Sequence, residues 1–177
     1  MKMEMIFAGF GGQGSLTIGK FIAQACMEEG KHVTWFPSYG PEMRGGTANV
    51  FVVVADKPIA SPIVSHPDLI VALNQPSLDK FGPSVKSKGY TILNSDLCPN
   101  IVKRDDVEYV LAPMNTIAPD VGNVKTLNMV AIGIVLAKTG LFKFETIENA
   151  IHKSMGGKNP ELAEMNIKDI KAGMELK

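Results

Sequence analysis

The chain has 177 residues, 45% of them hydrophobic, which fits one domain spanning 1–177 with a continuous core. Lysine plus arginine and aspartate plus glutamate number 18 each, so the net charge of zero gives no electrostatic reason to expect a nucleic-acid or anionic-membrane partner. The same neutrality offers little protection against self-association, suits a chain that lives inside a complex, and leaves a homodimer open for the isolated chain.

Strand-like and helix-like segments alternate along the chain, which points to an α/β fold with a mostly parallel sheet. A short apolar strand over 4–8 runs into Gly9-Phe10-Gly11-Gly12-Gln13-Gly14. A helix follows over 15–29, with Leu16, Gly19, Lys20, Ala23 and Met27 three and four apart and Ile18, Ile22 and Ala25 widening the apolar face, and Gly30 stops it. A second strand over 31–36 is bounded by Pro37. A polar, glycine-rich loop occupies 38–46. The third strand, 47–55, is an almost unbroken apolar run, the signature of burial on both faces. Residues 57–67 hold Pro58, Pro62 and Pro67 and read as a connector with one short helix at 61–65. A fourth strand is expected over 68–73, a helix over 75–88 broken near Pro83, and two more strands over 90–94 and 107–112. After an irregular stretch at 113–122, a helix over 123–138 is apolar nearly all round, as a helix buried in a core or an interface must be. Gly140 ends it. A helix over 144–155 carries Glu145 in its first turn and breaks at Gly156 and Gly157. Asn159 and Pro160 start a last amphipathic helix to about Lys171, short enough to need a surface to lean on, its own domain or a neighbouring chain.

Cys26 and Cys98 are far apart and belong to no Cys-x-x-Cys pair; they read as reduced, buried thiols of a cytoplasmic protein. His32, His66 and His152 are scattered and show no metal-ligand spacing. The first residues, with Lys2 and Glu4, do not form a secretory leader, and no apolar run reaches the roughly 18 residues that span a bilayer.

Gly9-x-Gly11-x-x-Gly14 lies between a strand and a helix, the context that a dinucleotide fingerprint requires. Glycines let the backbone turn tightly and approach a bound group, and the unpaired amides of the helix N-terminus favour phosphate. The fingerprint is incomplete: the second strand ends Trp35-Phe36-Pro37-Ser38, without the acidic residue that would hold a ribose. No lysine follows the loop as a Walker A motif demands. Two readings stay open at this point, a phosphate or polar group bound at Gly9, Gly11, Gly12, Gln13, Gly14 and Ser15, or glycines that serve only close helix–sheet packing.

The second loop, Ser38-Tyr39-Gly40-Pro41-Glu42-Met43-Arg44-Gly45-Gly46, is not core composition. It should emerge at the carboxyl edge of the sheet beside the glycine turn, where open α/β sheets bind ligands. The guanidinium of Arg44 suits a carboxylate or phosphate, and Glu42 is placed to steer it or to pair with another subunit. The alternative is a solvated loop with a local ion pair.

These two motifs in this order, with Asn128-Met129-Val130-Ala131-Ile132-Gly133 in the apolar helix, resemble the gamma subunit of 2-oxoacid:ferredoxin oxidoreductases, a unit that also occurs as an internal domain of single-chain pyruvate:ferredoxin oxidoreductases. The form Tyr39-Gly40-Pro41-Glu42-Met43-Arg44-Gly45-Gly46 is most similar to the 2-oxoglutarate or branched-chain branch, and 2-oxoglutarate is the substrate expected; the indolepyruvate oxidoreductase beta subunit is a sister type. The resemblance implies a single Rossmann-like three-layer domain. It also implies a complex that decarboxylates a 2-oxoacid, passes electrons through iron–sulfur clusters to ferredoxin, and forms an acyl-coenzyme A. Thiamine diphosphate, magnesium and the clusters are then expected on alpha, beta and delta (ferredoxin-like) partners, with no cofactor held by this chain alone and no catalytic residue in it. Its expected part is to help form the coenzyme A region, with Gly11, Gly12, Gln13 and Gly14 offering amides to a pyrophosphate and Tyr39, Gly40, Glu42, Arg44, Gly45 and Gly46 completing the site. A module that only holds the complex together is the rival reading.

Overall fold

The computed structural model describes residues 1–40, 46–118, 120–121 and 124–176. Its main sheet is built from β1 (Lys2–Phe10), β2 (His32–Tyr39), β3 (Thr47–Ala55), β4 (Leu69–Ala72), β5 (Tyr90–Asn94) and β6 (Glu108–Ala112), in the order β2-β3-β1-β4-β5-β6. The pairs β1–β4, β4–β5 and β5–β6 are parallel, whereas β3 runs antiparallel to both β1 and β2. β3 is therefore the one strand of this sheet that points the other way, and the sheet is mostly parallel as expected. The reversal has a simple cause. The segment 40–46 is too short to carry a crossover, so β2 and β3 form a hairpin.

β2 also runs further than the sequence suggests, through Pro37 to Tyr39. It is an edge strand, where a proline without an N–H costs no ladder bond on the open side. Tyr39 is thus a strand residue rather than part of the loop.

Helices cover both faces. On one face α1 (Ser15–Glu28), α4 (Leu127–Thr139), α5 (Phe144–Ile151) and α6 (Pro160–Met174) close over Met5, Phe7, Val50, Val52 and Val54. On the other, α2 (Gln75–Phe81) with the 57–68 connector covers Ile6, Ala8, Val53 and Ile70. Val52, Val53 and Val54 are all fully buried, which is the two-sided burial that the apolar run of β3 predicts.

Several boundaries move. The connector 57–67 contains no helix, and its three prolines explain why. α2 stops at Phe81 and a 3₁₀ turn, Gly82–Ser84, takes the proline break; the helix does not reach residue 88. The stretch after β6 holds a short α3 (Met114–Ile117) and a two-stranded ribbon, β7 (Asp120–Val121) with β8 (Val124–Lys125), so α4 begins four residues later than its apolar pattern suggests. α5 passes into a π-helical turn, His152–Gly156.

α6 leans on its own domain. Its start is fixed by Asn159, whose Oδ1 accepts from the Leu162 N–H at 3.0 Å, and by Pro160 in the first turn. Leu162, Ala163, Ile167 and Ile170 are buried against α4. This is why α4 is apolar on every side: the sheet takes one face and α6 the other. Ile132 and Ile134 are fully buried, each worth about 1.5–3 kcal/mol of transfer free energy. Gly133 and Gly173 mark the crossing, where each α-carbon sits against the backbone of the other helix. Among the described residues, no helix is long and apolar enough to cross a membrane.

Candidate functional site

The glycine turn and the base of the β2–β3 hairpin meet at one rim of the sheet. Phe10, the last residue of β1, is opposite Thr47, and Ala48 is opposite both Gly9 and Tyr39. The Gly11 N–H donates to the Gly46 carbonyl at 2.9 Å, and the Gly40 N–H donates to the Thr47 carbonyl at 2.8 Å. Glu42, Arg44 and Gly45, the residues expected to complete the site, lie outside the described residues.

Inside the turn, Gln13 folds back. Its Oε1 accepts from the Phe10 N–H at 2.6 Å and from Asn74 Nδ2 at 2.8 Å, while its Nε2 donates to the Leu73 carbonyl at 3.3 Å. The Gln13 N–H itself donates to the Phe10 carbonyl at 3.1 Å. Two of the four amides expected to face a ligand, those of Gly11 and Gln13, are therefore already used to hold the turn. The hydroxyl of Ser15, almost fully buried, donates to the Ala48 carbonyl at 3.0 Å and ties α1 to β3. The Gly11 and Gln13 amides and the Ser15 hydroxyl are thus engaged inside the protein, while Gln13 also lines a cleft beside the start of α1. Sequence reading misses this because the partners, Gly46, Leu73, Asn74 and Ala48, are remote in the chain.

Gly12 and Gly14 remain at the surface of the turn with φ of +97° and +85°, a region that side chains rarely adopt. Gly14 is the N-cap residue of α1 and offers no capping side chain. The first amides of α1 therefore face outward unpaired within the helix. They open on a cleft of about 480 Å³ between this helix end and α4 with α6. Its polar wall is Gln13, Thr17, Lys125, Asn128 and Asn166, and its apolar floor is Met129, Met155 and Leu162. Apart from Gln13, none of these polar residues was singled out as a site residue by the sequence reasoning. One signal was visible: Asn128 is the polar exception among ten buried residues of α4.

The rest of the rim is a row of carboxamides. After β1 comes Gln13, after β4 Asn74, at the end of β5 Asn94, and after β6 Asn115. Asn74 caps α2 through the Ser77 N–H at 3.0 Å, and Asn94 Nδ2 donates to Asn115 Oδ1 at 2.7 Å while its Oδ1 accepts from the Met114 N–H at 3.1 Å. This row locks the loops together and has little left to offer a ligand.

Burial pushes the Cys26 thiol up to about 12 and the Cys98 thiol up to about 11, so both are inert. With two free cysteines on separate elements, the chain does not fit an iron–sulfur cluster, which takes four thiolates. Among the described residues no group of three His, Cys, Asp or Glu could hold a metal. The cleft, with outward amides, a cation and carboxamides over an apolar floor, does fit a phosphate-bearing organic ligand.

A family model described as "Pyruvate ferredoxin/flavodoxin oxidoreductase" matches residues 4–176. The chain belongs to the pyruvate ferredoxin/flavodoxin oxidoreductase family. The gamma subunit of the keto/oxoacid ferredoxin oxidoreductase from Geobacter sulfurreducens PCA superposes with a TM-score of 0.80 and 30% identity, covering 98% of this chain and 96% of its own. The ketoisovalerate oxidoreductase subunit VorA of Methanothermobacter marburgensis is 38% identical over 176 residues, 98% of this chain. The chain spans only 36% of that relative's length. A 2-oxoglutarate:ferredoxin oxidoreductase from Magnetococcus marinus, solved with 2-oxoglutarate, coenzyme A and succinyl-CoA bound, shares the fold at a TM-score of 0.87 and 22% identity, over 98% of this chain and 30% of that one. Within the family the present chain is of the gamma type. Family members named for 2-oxoglutarate, ketoisovalerate and pyruvate all match it, so the names do not fix one substrate.

Proposed function

We propose that this chain is the gamma subunit of a complex that oxidatively decarboxylates a 2-oxoacid to an acyl-coenzyme A with reduction of ferredoxin, and that its rim forms part of the coenzyme A region. The substrate we assign to the complex is 2-oxoglutarate or a branched-chain 2-oxoacid. Thiamine diphosphate, magnesium and the clusters reside on alpha, beta and delta partners in this reading. The observation that carries the reading is the Gly11 N–H to Gly46 carbonyl bond, which fastens the glycine turn to the residue before β3. The helix end favours anions, Arg44 stands two residues before Gly46 in the sequence, and coenzyme A brings phosphates that suit both an amide cradle and a guanidinium.

Chemically, this chain's share is binding and placement. Holding the coenzyme's phosphates at a fixed rim brings its thiol end to the acyl group on the partner subunit without a further entropic cost at the reacting centre. Mutating Arg44→Ala should raise the apparent coenzyme A requirement of the assembled complex about tenfold, the loss of one charge-assisted contact. An unchanged requirement in a normally assembled complex would remove Arg44 from the site. A second reading, a module that only docks on the catalytic subunit, draws on the inward use of Gly11, Gln13 and Ser15. It predicts that Arg44→Ala weakens assembly and leaves the coenzyme requirement untouched.

A further inference from the structure

We propose that the open edge of β2 pairs with the β2 of a second copy of this chain, antiparallel about a two-fold axis at Phe36, and so joins two chains into a dimer. Such a dimer is independent of whether coenzyme A binds.

The direction of the backbone groups follows from one bond. The Gly40 N–H donates to the Thr47 carbonyl, so these two residues form a hydrogen-bonded pair of the hairpin. Along an antiparallel ladder such pairs alternate with pairs whose N–H and C=O groups point away. In the register from His32↔Ala55 to Tyr39↔Ala48, the even-numbered residues of β2 therefore bond to β3. Val33, Trp35, Pro37 and Tyr39 turn their backbone groups outward. β2 is the last strand on its side of the sheet, so no strand among the described residues takes them.

Sheet edges are normally blunted by a lysine, a bulge or a covering loop. β2 carries no lysine, arginine, aspartate or glutamate, pairs with β3 without a bulge, and leaves Trp35, Phe36 and Tyr39 exposed. Pro37 is the one interruption in its row of outward donors. An edge of this kind is a template for another strand.

Self-complementarity decides what occupies it. One two-fold register pairs all four outward residues: Val33 with the second copy's Tyr39, and Trp35 with its Pro37, which puts the axis at Phe36. It forms about six backbone hydrogen bonds, because each proline still offers its carbonyl to the opposite Trp35 N–H. The side chains match as well. On the face that carries α1, Trp35 and Met27 line an apolar groove beside the strand, and there Trp35 meets the opposite Pro37 and Val33 the opposite Tyr39. On the other face Phe36, 42% exposed and stacked on Phe51 at 6.4 Å, meets its own copy at the axis. Thr34, whose buried hydroxyl has no hydrogen-bond partner among the described residues, stands opposite Ser38. Aromatic pairs and Thr–Ser pairs across strands stabilise a ladder. No like charges meet along β2, and the net charge of zero adds no repulsion between copies.

The test is the oligomeric state of the full chain by sedimentation velocity. The wild type should show a monomer–dimer equilibrium in the micromolar range, as suits an interface of one strand edge and a few aromatic side chains. Phe36→Glu and Phe36→Lys each set like charges face to face at the axis and should raise the dissociation constant tenfold or more. An equimolar mixture of the two variants sets opposite charges there and should restore the dimer. Circular dichroism reports whether each variant folds, and Ser38→Lys, at an exposed position of the same edge, repeats the block if the Phe36 variants do not. A wild type that stays monomeric up to about 0.5 mM, a dimer that survives both charges, or a mixture that stays monomeric overturns the proposal. A monomeric wild type whose incorporation into the complex is lost with Phe36→Lys gives the edge to another subunit, and overturns it equally.

Discussion

Replacing Gly133 by alanine tests the α4–α6 crossing on which the cleft depends. A β-carbon there would overlap the Ile170 carbonyl oxygen and lie 2.9 Å from both the Ile170 carbonyl carbon and the Met174 nitrogen. These are backbone atoms of a helix, so no side chain can rotate away. The helices must part until the contacts reach the ordinary 3.4–4 Å, a separation on the order of 1 Å that also loosens the buried Ile167 and Ile170. Overpacking of this kind costs about 3 kcal/mol, at the upper end of the usual range because the backbone itself must yield. Alanine returns about 1 kcal/mol through its better helix propensity. The net loss should be about 2 kcal/mol, which for a domain of this size lowers Tm by roughly 4–8 °C. Urea and thermal unfolding followed by circular dichroism measure it. Gly156→Ala serves as control, since a β-carbon there meets only His152 at 3.6 Å or beyond and should be close to neutral. A Gly133→Ala chain as stable as the wild type, or more so, would refute the close crossing and with it the placement of Asn166 and Leu162 beside the glycine turn.

Asp169 gives a pH test. It is buried, its Oδ2 has no partner, and burial raises its pKa above the ordinary 3.8 against the opposing Thr126 hydrogen bond and Lys168 charge. A carboxyl whose folded-state pKa is raised favours the fold when protonated, and that advantage is lost as pH rises through the folded value. Asp169→Asn should therefore be about 1 kcal/mol more stable than the wild type at pH 7, with the difference vanishing below about pH 3.8. Urea midpoints at both pH values check it, and a gain that is the same at both would exclude titration of Asp169 as its source. For the thiols, a thiol-selective disulfide reagent at pH 8 should label neither Cys26 nor Cys98 in the folded chain and both in urea, because burial holds them protonated. Rapid labelling of either in the native state would contradict the packing around it.

Much of the fold was legible because burial writes a periodic pattern into a single chain. The two-sided burial of β3 and the all-round burial of α4 follow from local runs of apolar residues, and both are found. The direction of β3 was also implicit, since 40–46 cannot cross the sheet, but strand and helix alternation drew attention to parallel pairing instead. The short helix placed at 61–65 failed because the prolines of the connector outweigh its apolar residues. At the site, the strand–turn–helix context and the left-handed glycines were readable, whereas the inward role of Gln13 was not. Nothing in its neighbourhood along the chain announces Leu73 and Asn74 as partners.

By itself, then, the sequence determined the order and kind of the main elements, β1 to β6 with α1, α2, α4, α5 and α6, the glycine turn at the end of β1, and the family-typical loop that carries Arg44. Those features depend on residues close together in the chain. Tertiary structure alone decided that Gly11 spends its amide on Gly46, that Gly14 lies over Asn128, and that α6 rather than a partner covers the open side of α4. Each of these is a contact between residues far apart in sequence, and only the packed chain brings such donors, acceptors and empty α-carbons within reach of one another.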